Sequence, residues 1–184
     1  MRRLIVALTG ASGVIYGVRA LQVLRQLPDV ETHLVMTPSA VRTLLEETAK
    51  LAIENAGLTK EQINFFIGGD LINQITTTSF AARTLAMPYI GVFGACSTSM
   101  ESLAIAALAV SSGAAKHAVA ATASHNCTVE KQFRYPTEYG SQKPPTAQYT
   151  VTGSGAAVIG KEGDGPVITS ATIGRIVDMG IKDP

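Results

Sequence analysis

The sequence predicts an α/β protein in which buried strands alternate with helices along most of the chain. Residues 3–8 form a continuous apolar run, which is typical of a strand covered on both faces, and the Gly-rich stretch "TGASGVIYG" follows it. A helix then ends near Pro28, and "ETHLVMT" gives a second strand. This strand–turn–helix–strand unit is half of a doubly wound, Rossmann-like nucleotide-binding pattern.

The rest of the chain continues the alternation of helices and strands. We expect helices over residues 39–56, in "TSFAARTLAM", and from Cys96 to about Ser112. Gly57 provides a C-terminal stop for the first of these helices, and Thr59 an N-cap for the short turn "KEQ". We expect strands in "INFFIGGDLINQ", which runs into a Gly-Asp turn, and in "YIGVFGA", "KHAVAATASHN", "YTVTGSGAAVIGK" and "VITSATIGRIVDMGI", with a loop over residues 128–148.

Composition excludes several function classes. A net charge of +1 with no basic stripe gives no reason to expect nucleic acid or an anionic membrane as a partner. The two cysteines make no disulfide framework, and the longest apolar run, "LAIAALAV", is far too short to span a membrane. We therefore expect a cytoplasmic protein of one domain, or two.

The glycine-rich stretch after the first strand suggests an anion site. Gly10, Ser12, Gly13 and Gly17 lie between a strand and a helix, where glycines allow close approach and the helix N-terminus supplies N–H donors. The spacing is neither the dinucleotide fingerprint nor a Walker loop. Phosphate binding and a purely structural turn both fit it.

Cys96 lies where a strand, "GVFGA", runs into the longest apolar helix. Free N–H groups and partial positive charge at a helix N-terminus stabilise a thiolate, so Cys96 is a candidate nucleophile. A ligand contact and a small buried residue in a tight turn are the alternatives. His125, Cys127 and Cys96 lack the spacing of metal ligands, so we expect no metal site.

The first 48 residues, "RLIVALTGASGVIYGVRALQVL…ETHLVMT…LLEET", resemble the N-terminus of flavin prenyltransferases. The resemblance implies that Gly10, Ala11 and Ser12 contact the phosphate of flavin mononucleotide (FMN) or of a prenyl donor. It also implies that Thr37 faces the flavin and that Glu47 is an active-site glutamate. The later motifs of that family have no counterpart here, so a complete prenyltransferase site is not encoded.

From about residue 46 the sequence resembles a second family. "AGLTKEQINFFIGGDLINQ", "SFAARTLAMPYIGVFGACSTSMES", "ASHNCTVEKQFRYPTEYGSQK" and "TIGRIVDMGIKDP" are similar to the stage V sporulation protein AD family, thiolase-fold proteins of endospore-forming bacteria. The resemblance covers the N-terminal half of that family without its first segment. It implies half of a thiolase-like fold, binding of dipicolinic acid for uptake into the spore, and other spore dipicolinate-transport proteins as partners. It further implies a homodimer and a cytoplasmic location peripheral to the spore inner membrane.

By the same resemblance, Cys96 stands at the position of the condensing-enzyme nucleophile. Condensing chemistry also needs acid and base groups, which that fold takes mostly from its second half, so binding without turnover is the favoured function. The expected dicarboxylate pocket comprises Cys96, Ser97, Thr98, His125 and Asn126, and Cys96 and His125 are the candidate catalytic pair. An acyl-transferring condensing enzyme that uses Cys96 and a flavin prenyltransferase-type enzyme are the alternatives.

Three other residues have plainer interpretations. His125 is equally a strand-end histidine with satisfied hydrogen bonds, Cys127 is structural, and Asp70 after Gly68 and Gly69 is a turn residue.

The chain is thus a composite, with a flavin-prenyltransferase-like segment over residues 1–48 and a thiolase-like segment over residues 46–184. One predicted helix, "AVRTLLEETAKLAIENAGL", crosses the join. Its apolar residues keep helical spacing through the join: Val41, Leu44, Leu45, Leu51 and Ile53. The first segment could also add its strands to the edge of the thiolase-like sheet.

Overall fold

The structure, a computed structural model, describes residues 2–8, 14–36, 38–124 and 152–180. The elements are β1 (Arg2–Leu8), α1 (Val14–Leu24), β2 (Val30–Met36), α2 (Pro38–Asn55), a 3-10 turn (Lys60–Gln62), β3 (Phe65–Asp70), α3 (Thr76–Leu85), β4 (Tyr89–Gly91), a 3-10 turn (Ala95–Ser97), α4 (Thr98–Ser111), β5 (His117–Ser124) and β6 (Gly153–Gly160). These elements confirm the predicted α/β class. None of the helices in the described ranges is long and apolar enough to cross a membrane.

The N-terminal unit is a two-stranded parallel sheet with one helix packed on it. β1 and β2 pair in register from Arg2 opposite Val30 to Leu8 opposite Met36. α1 lies so close to β1 that a Cβ at Gly17 would collide with the Leu8 side chain. The prediction that β1 is covered on both faces is wrong, since Ile5 is 71% exposed: two strands with one helix leave a face open.

A four-stranded sheet forms the larger part of the fold, in the order β4-β3-β5-β6. β4, β3 and β5 are parallel, and β6 runs antiparallel to β5, with Ala120 opposite Ala157. The idea that the N-terminal strands extend this sheet is wrong within the described residues. β2 pairs with β1 alone, and it is the following helix, α2, that contacts the larger sheet.

The four-stranded sheet is covered on both faces, and alternate residues of β5 enter two different cores. On one face, α2 and α3 pack on the sheet and share a core with it. Its buried members are Leu45, Ala49, Ile53, Ile63, Phe66, Ala81, Ala82, Leu85, Met87, Val119, Ala121 and Ala123. On the other face, α4 packs on the sheet, and the buried members of this second core are Ile67, Val92, Ala106, Val110, Ala115, Ala118 and Ala120. Each core is therefore closed by helices that come from different parts of the chain.

α2 is one continuous helix across the join between the two resemblances. Leu45 and Ala49 are fully buried and Ile53 is 4% exposed, so one residue per turn enters the core. Thr48 Oγ1 lies 2.6 Å from Ser154 Oγ, which ties the same helix to β6. The prediction that Leu51 belongs to the apolar face is wrong, because it is 55% exposed on the opposite side.

The predicted closing strand "VITSATIGRIVDMGI" does not form in the part of it that the structure describes. Residues 166–180 have no regular secondary structure and every one of them is exposed. A strand needs a neighbour for its backbone groups, and no described strand lies beside this segment. The predicted loop over residues 128–148 lies outside the described residues.

We expect Leu45→Ala to lower the free energy of unfolding by about 2–5 kcal/mol, because it leaves a cavity beneath α2. Leu51→Ala is the matched control in the same helix, and its exposed side chain predicts a change within about 0.5 kcal/mol. Chemical denaturation of the whole chain measures both. Equal effects of the two substitutions would contradict the docking of α2 on the larger sheet.

Candidate functional site

Three parallel strands end at one edge of the larger sheet. Asp70 at the end of β3 lies opposite Ala123 of β5, and Gly91 at the end of β4 lies opposite Gly68. The turn that contains Cys96 follows β4 at this edge. His125 and Asn126 come directly after β5, and both lie outside the described residues. Ligands of α/β proteins bind at such carboxyl edges, so this is where the candidate site is built.

Cys96 lies in the 3-10 turn between β4 and α4, as the sequence predicted, and its side chain is exposed. The interpretation of Cys96 as a small buried residue is therefore wrong. Ser97 is exposed as well, and its hydroxyl donates to the Gly94 carbonyl at 2.7 Å. The turn thus presents a thiol and a hydroxyl at the N-terminal end of a 14-residue helix.

Thr98 holds this turn together from inside. Its side chain is 1% exposed, and its Oγ1 accepts a hydrogen bond from the Gly94 N–H at 3.1 Å while it donates to the Ala95 carbonyl at 2.8 Å. The Thr98 hydroxyl is thus engaged with the backbone of the turn. Cys96 and Ser97 remain as the exposed members of the expected pocket within the described residues.

The turn stores backbone strain next to Cys96. Ala95 has a φ of 48°, in the left-handed region, which costs a residue with a Cβ roughly 1–2 kcal/mol. A Cβ at Gly94 would collide with Ser97 Oγ and lie 2.8 Å from Glu101 Oε2. Strain of this kind persists where the surrounding structure holds it in place, and it is common at binding sites.

The paired glycines of β3 let the Cys96 turn sit against the sheet. A Cβ at Gly69 would collide with the Val92 carbonyl and lie 2.7 Å from Thr98 Cγ2. The prediction of a Gly-Asp turn with Asp70 as a turn residue is wrong, because these residues are the last part of a strand. Asp70 is fully buried there, and its Oδ1 accepts from the Leu71 N–H at 2.7 Å.

Glu101 is a member of this neighbourhood that sequence reasoning missed. It lies in the first turn of α4, and its Oε2 is buried against the turn with no hydrogen-bond partner among the described residues. A carboxylate there is stabilised by the helix N-terminus, whose positive end it partly offsets. An acidic residue in the first turn after a candidate nucleophile was the available signal.

Of the residues expected to contact a flavin, Glu47 lies within the described part of the chain. Residues 10–12 and Thr37 lie outside the described residues. Glu47 is exposed on α2, where its carboxylate accepts from Lys50 Nζ at 2.8 Å. That hydrogen bond raises the pKa of the Lys50 amine, and the Glu47 side chain is thereby engaged on the surface.

Cys96 does not line either of two cavities in the described part of the chain. The larger, of about 370 Å³, is lined by Lys50, Ile53, Glu54, Leu58, Thr59, Lys60, Glu61, Thr84 and Leu85. The smaller, of about 190 Å³, lies between α4, β5 and β6 and is lined by Ser99, Ser102, Leu103, Ala120, Ala121, Thr122, Gly155, Ala156 and Ala157. No cluster of His, Cys, Asp or Glu that could hold a metal ion occurs among the described residues.

Sequence comparison identifies two groups of relatives. The family model for stage V sporulation protein AD matches residues 35–184. Stage V sporulation protein AD of Bacillus subtilis (strain 168) is 53% identical over 145 residues, which are 79% of this chain and 43% of that protein. Flavin prenyltransferase UbiX of Escherichia coli (strain K12) is 65% identical over 48 residues, 26% of this chain and 25% of that protein. The chain spans less than half the length of these curated relatives.

Solved structures with the same fold are condensing enzymes. 3-oxoacyl-(acyl-carrier-protein) synthase III from Aquifex aeolicus VF5 is similar with a TM-score of 0.51 and 20% identity, over 67% of this chain and 39% of its own. The priming β-ketosynthase of the R1128 polyketide pathway is similar with a TM-score of 0.50 and 19% identity, over 65% of this chain and 35% of its own. At this identity the similarity shows the fold alone, and it confirms the predicted thiolase-like half.

We expect Thr98→Val to lower the free energy of unfolding by about 1–3 kcal/mol, because the Gly94 N–H loses its buried acceptor. Thr84→Val is the matched control: Thr84 is exposed on α3, and its hydroxyl donates to the Phe80 carbonyl. A change within about 0.5 kcal/mol is expected there. Denaturant unfolding measures both, and a Thr98→Val protein as stable as the control would contradict the role of Thr98 in the turn.

Proposed function

The chain belongs to the stage V sporulation protein AD family, and from that membership we propose that it binds a small dicarboxylate, dipicolinic acid, for uptake into the spore. The ligand-binding site we propose is the exposed Cys96–Ser97 turn at the carboxyl edge of the parallel strands. Other proteins of spore dipicolinate transport would be its partners.

The observation that supports this site is the combination of exposure and position. The Cys96 thiol and the Ser97 hydroxyl are exposed at the start of α4, where the helix dipole favours a carboxylate. β5 ends beside β3 at the same edge, and His125 and Asn126, which follow β5 in the sequence, are the further residues of the site we propose. One carboxylate of a planar dicarboxylate would meet the helix start, and we propose His125 as the partner of the second.

Binding without turnover is the second part of the proposal. A condensing reaction needs a nucleophile and separate groups that donate and accept protons. Among the described residues, the carboxylate that packs against the turn is that of Glu101, in the first turn of α4. Rapid, single-site alkylation of Cys96 at neutral pH would instead favour the alternative function, an acyl-transferring condensing enzyme.

We expect dipicolinate to stabilise the chain, by about 2.7 kcal/mol at one hundred times its dissociation constant. Glu101→Gln should tighten binding by roughly 3- to 10-fold, because it removes a negative charge beside an anionic ligand. Glu47→Gln, which removes an exposed carboxylate on α2, is the matched control and should leave affinity unchanged. Titration calorimetry measures the affinities, and thermal melts report the stabilisation.

Two results of that experiment would reject the proposal. The first is a cooperative melt that dipicolinate does not move at any concentration. The second is an equal change of affinity in Glu101→Gln and Glu47→Gln, which would place the ligand away from the Cys96 turn. Cys96→Ala distinguishes the sites further, since it should weaken dipicolinate binding while the fold is retained.

The N-terminal unit supports a second candidate function, binding of FMN. The observation in its favour is 65% identity to a flavin prenyltransferase over 48 residues, which includes the glycine-rich stretch. If that site is retained, FMN co-elutes with the chain, which its visible absorbance detects. Ser12→Ala should weaken FMN binding, and Glu101→Gln should leave it unchanged. Loss of FMN in both variants, or no bound FMN at all, would contradict a flavin site at residues 10–12.

A further inference from the structure

The larger cavity lies at the opposite edge of the sheet from the Cys96 turn. Its walls are the second half of α2, the 3-10 turn that precedes β3, and the end of α3, which precedes β4. They surround the amino ends of parallel strands, whereas Cys96 follows the carboxyl end of β4. The volume of about 370 Å³ falls within the range of small-ligand sites. A molecule held in this cavity would occupy a second site, separate from the Cys96 turn.

The chain reversal after α2 builds the apolar floor of this cavity. Gly57 has a φ of 67°, in the left-handed region that ends many helices, and the Leu58 N–H donates to the Ile53 carbonyl at 3.1 Å. Leu58 is thereby partly buried against the core that contains Ile53 and Leu85, each of which is 4% exposed. These three aliphatic side chains offer a surface for the apolar body of a ligand.

Charged residues of both signs form the rim of the cavity, and three of them are compensated by neighbours. The Lys50 ammonium lies 2.8 Å from the carboxylate of Glu47, which precedes it on α2. The pKa of Glu61 is lowered by hydrogen bonds from its own backbone N–H and from the Thr59 hydroxyl, and by the charge of Lys60. The charges of Lys50, Lys60 and Glu61 are therefore already balanced without a ligand.

Glu54 is the fourth charged residue of the rim, and its position is electrostatically unfavourable. It lies in the last turn of α2, which contains no basic residue, although the negative end of a helix favours a cation there. Its carboxylate makes no hydrogen bond or ion pair within the described part of the chain. Its charge acts on Lys50, but the ammonium of Lys50 is already bonded to Glu47. The cavity thus carries one uncompensated negative charge beside its apolar floor.

We propose that this cavity binds a small organic cation, with its ammonium group beside Glu54 and its apolar body on the aliphatic floor. The ammonium would supply the positive charge that the last turn of α2 lacks. A carboxylate or phosphate on the same body would instead meet the Glu54 carboxylate and the negative end of the helix. The cavity therefore selects its ligand by the sign of the head group.

Three probes that share a phenylethyl body and differ in head group test this selection on the full chain. They are the cation 2-phenylethylammonium, the neutral 2-phenylethanol and the anion 3-phenylpropanoate. Titration of the isotope-labelled chain, followed by NMR, measures each affinity and shows which amides shift. We expect the cation to bind roughly 3- to 10-fold more tightly than the anion, with shifts at residues 50–61 and 84–85, and we expect added salt to reduce the difference.

Substitutions of Glu54 assign the preference to one side chain. Glu54→Gln should remove the preference for the cation, and Glu54→Lys should invert it in favour of 3-phenylpropanoate. Glu54 is exposed, and both replacements suit a helix C-terminus better than a carboxylate does, so the melting temperature should not fall. The matched control is Glu162→Gln, which removes an exposed carboxylate that does not line the cavity and should bind the three probes as the parent chain does.

Several outcomes would overturn the proposal. One is equal affinity of the parent chain for the cationic and anionic probes, and another is no binding of the cation up to its solubility limit. A preference for the cation that survives in both Glu54 variants would place the selecting charge elsewhere. Amide shifts confined to residues outside the cavity walls would place the cation itself elsewhere.

Discussion

The docking of α2 on the four-stranded sheet is the interaction on which the rest of this structure depends. Leu45, Ala49 and Ile53 occupy the core that β3, β5 and α3 also line, and Thr48 reaches β6. Because the helix is continuous through the join, this one face connects the N-terminal unit to the larger fold. Burial of three apolar side chains at one per turn is enough to fix its orientation, since a rotation would expose them all.

The candidate site depends on the sheet that α2 completes. The parallel strands end together, and Gly69 lets the turn after β4 approach β3 closely enough for Thr98 to be buried. That burial holds Ala95 in a left-handed conformation and leaves Cys96 exposed. The exposed thiol thus lies between the strained Ala95 and the buried Thr98, and Glu101 adds a negative charge behind the same turn.

Local signals in the sequence predicted most elements, whereas features that depend on residues distant in the sequence were not predicted. The Cys96 turn, the α4 helix and the Thr59 turn follow from patterns a few residues long. Among the predictions that failed, Asp70 belongs to a strand and not to a turn, Leu51 faces solvent, and the closing strand finds no neighbour among the described strands. Hydrophobic spacing does not say which side of a helix meets the sheet, or whether a strand has an edge to join.

Residue-resolved hydrogen exchange of α2 is the most direct test of this account. If the helix is one docked unit, amides on both sides of residue 46 should exchange through the same opening, with free energies that agree within about 1 kcal/mol and match those of β3 and β5. Protection confined to residues 47–55, with residues 40–46 exchanging as fast as β1 and β2, would contradict it. That result would mean that the N-terminal unit is tethered to the larger fold and not built into it.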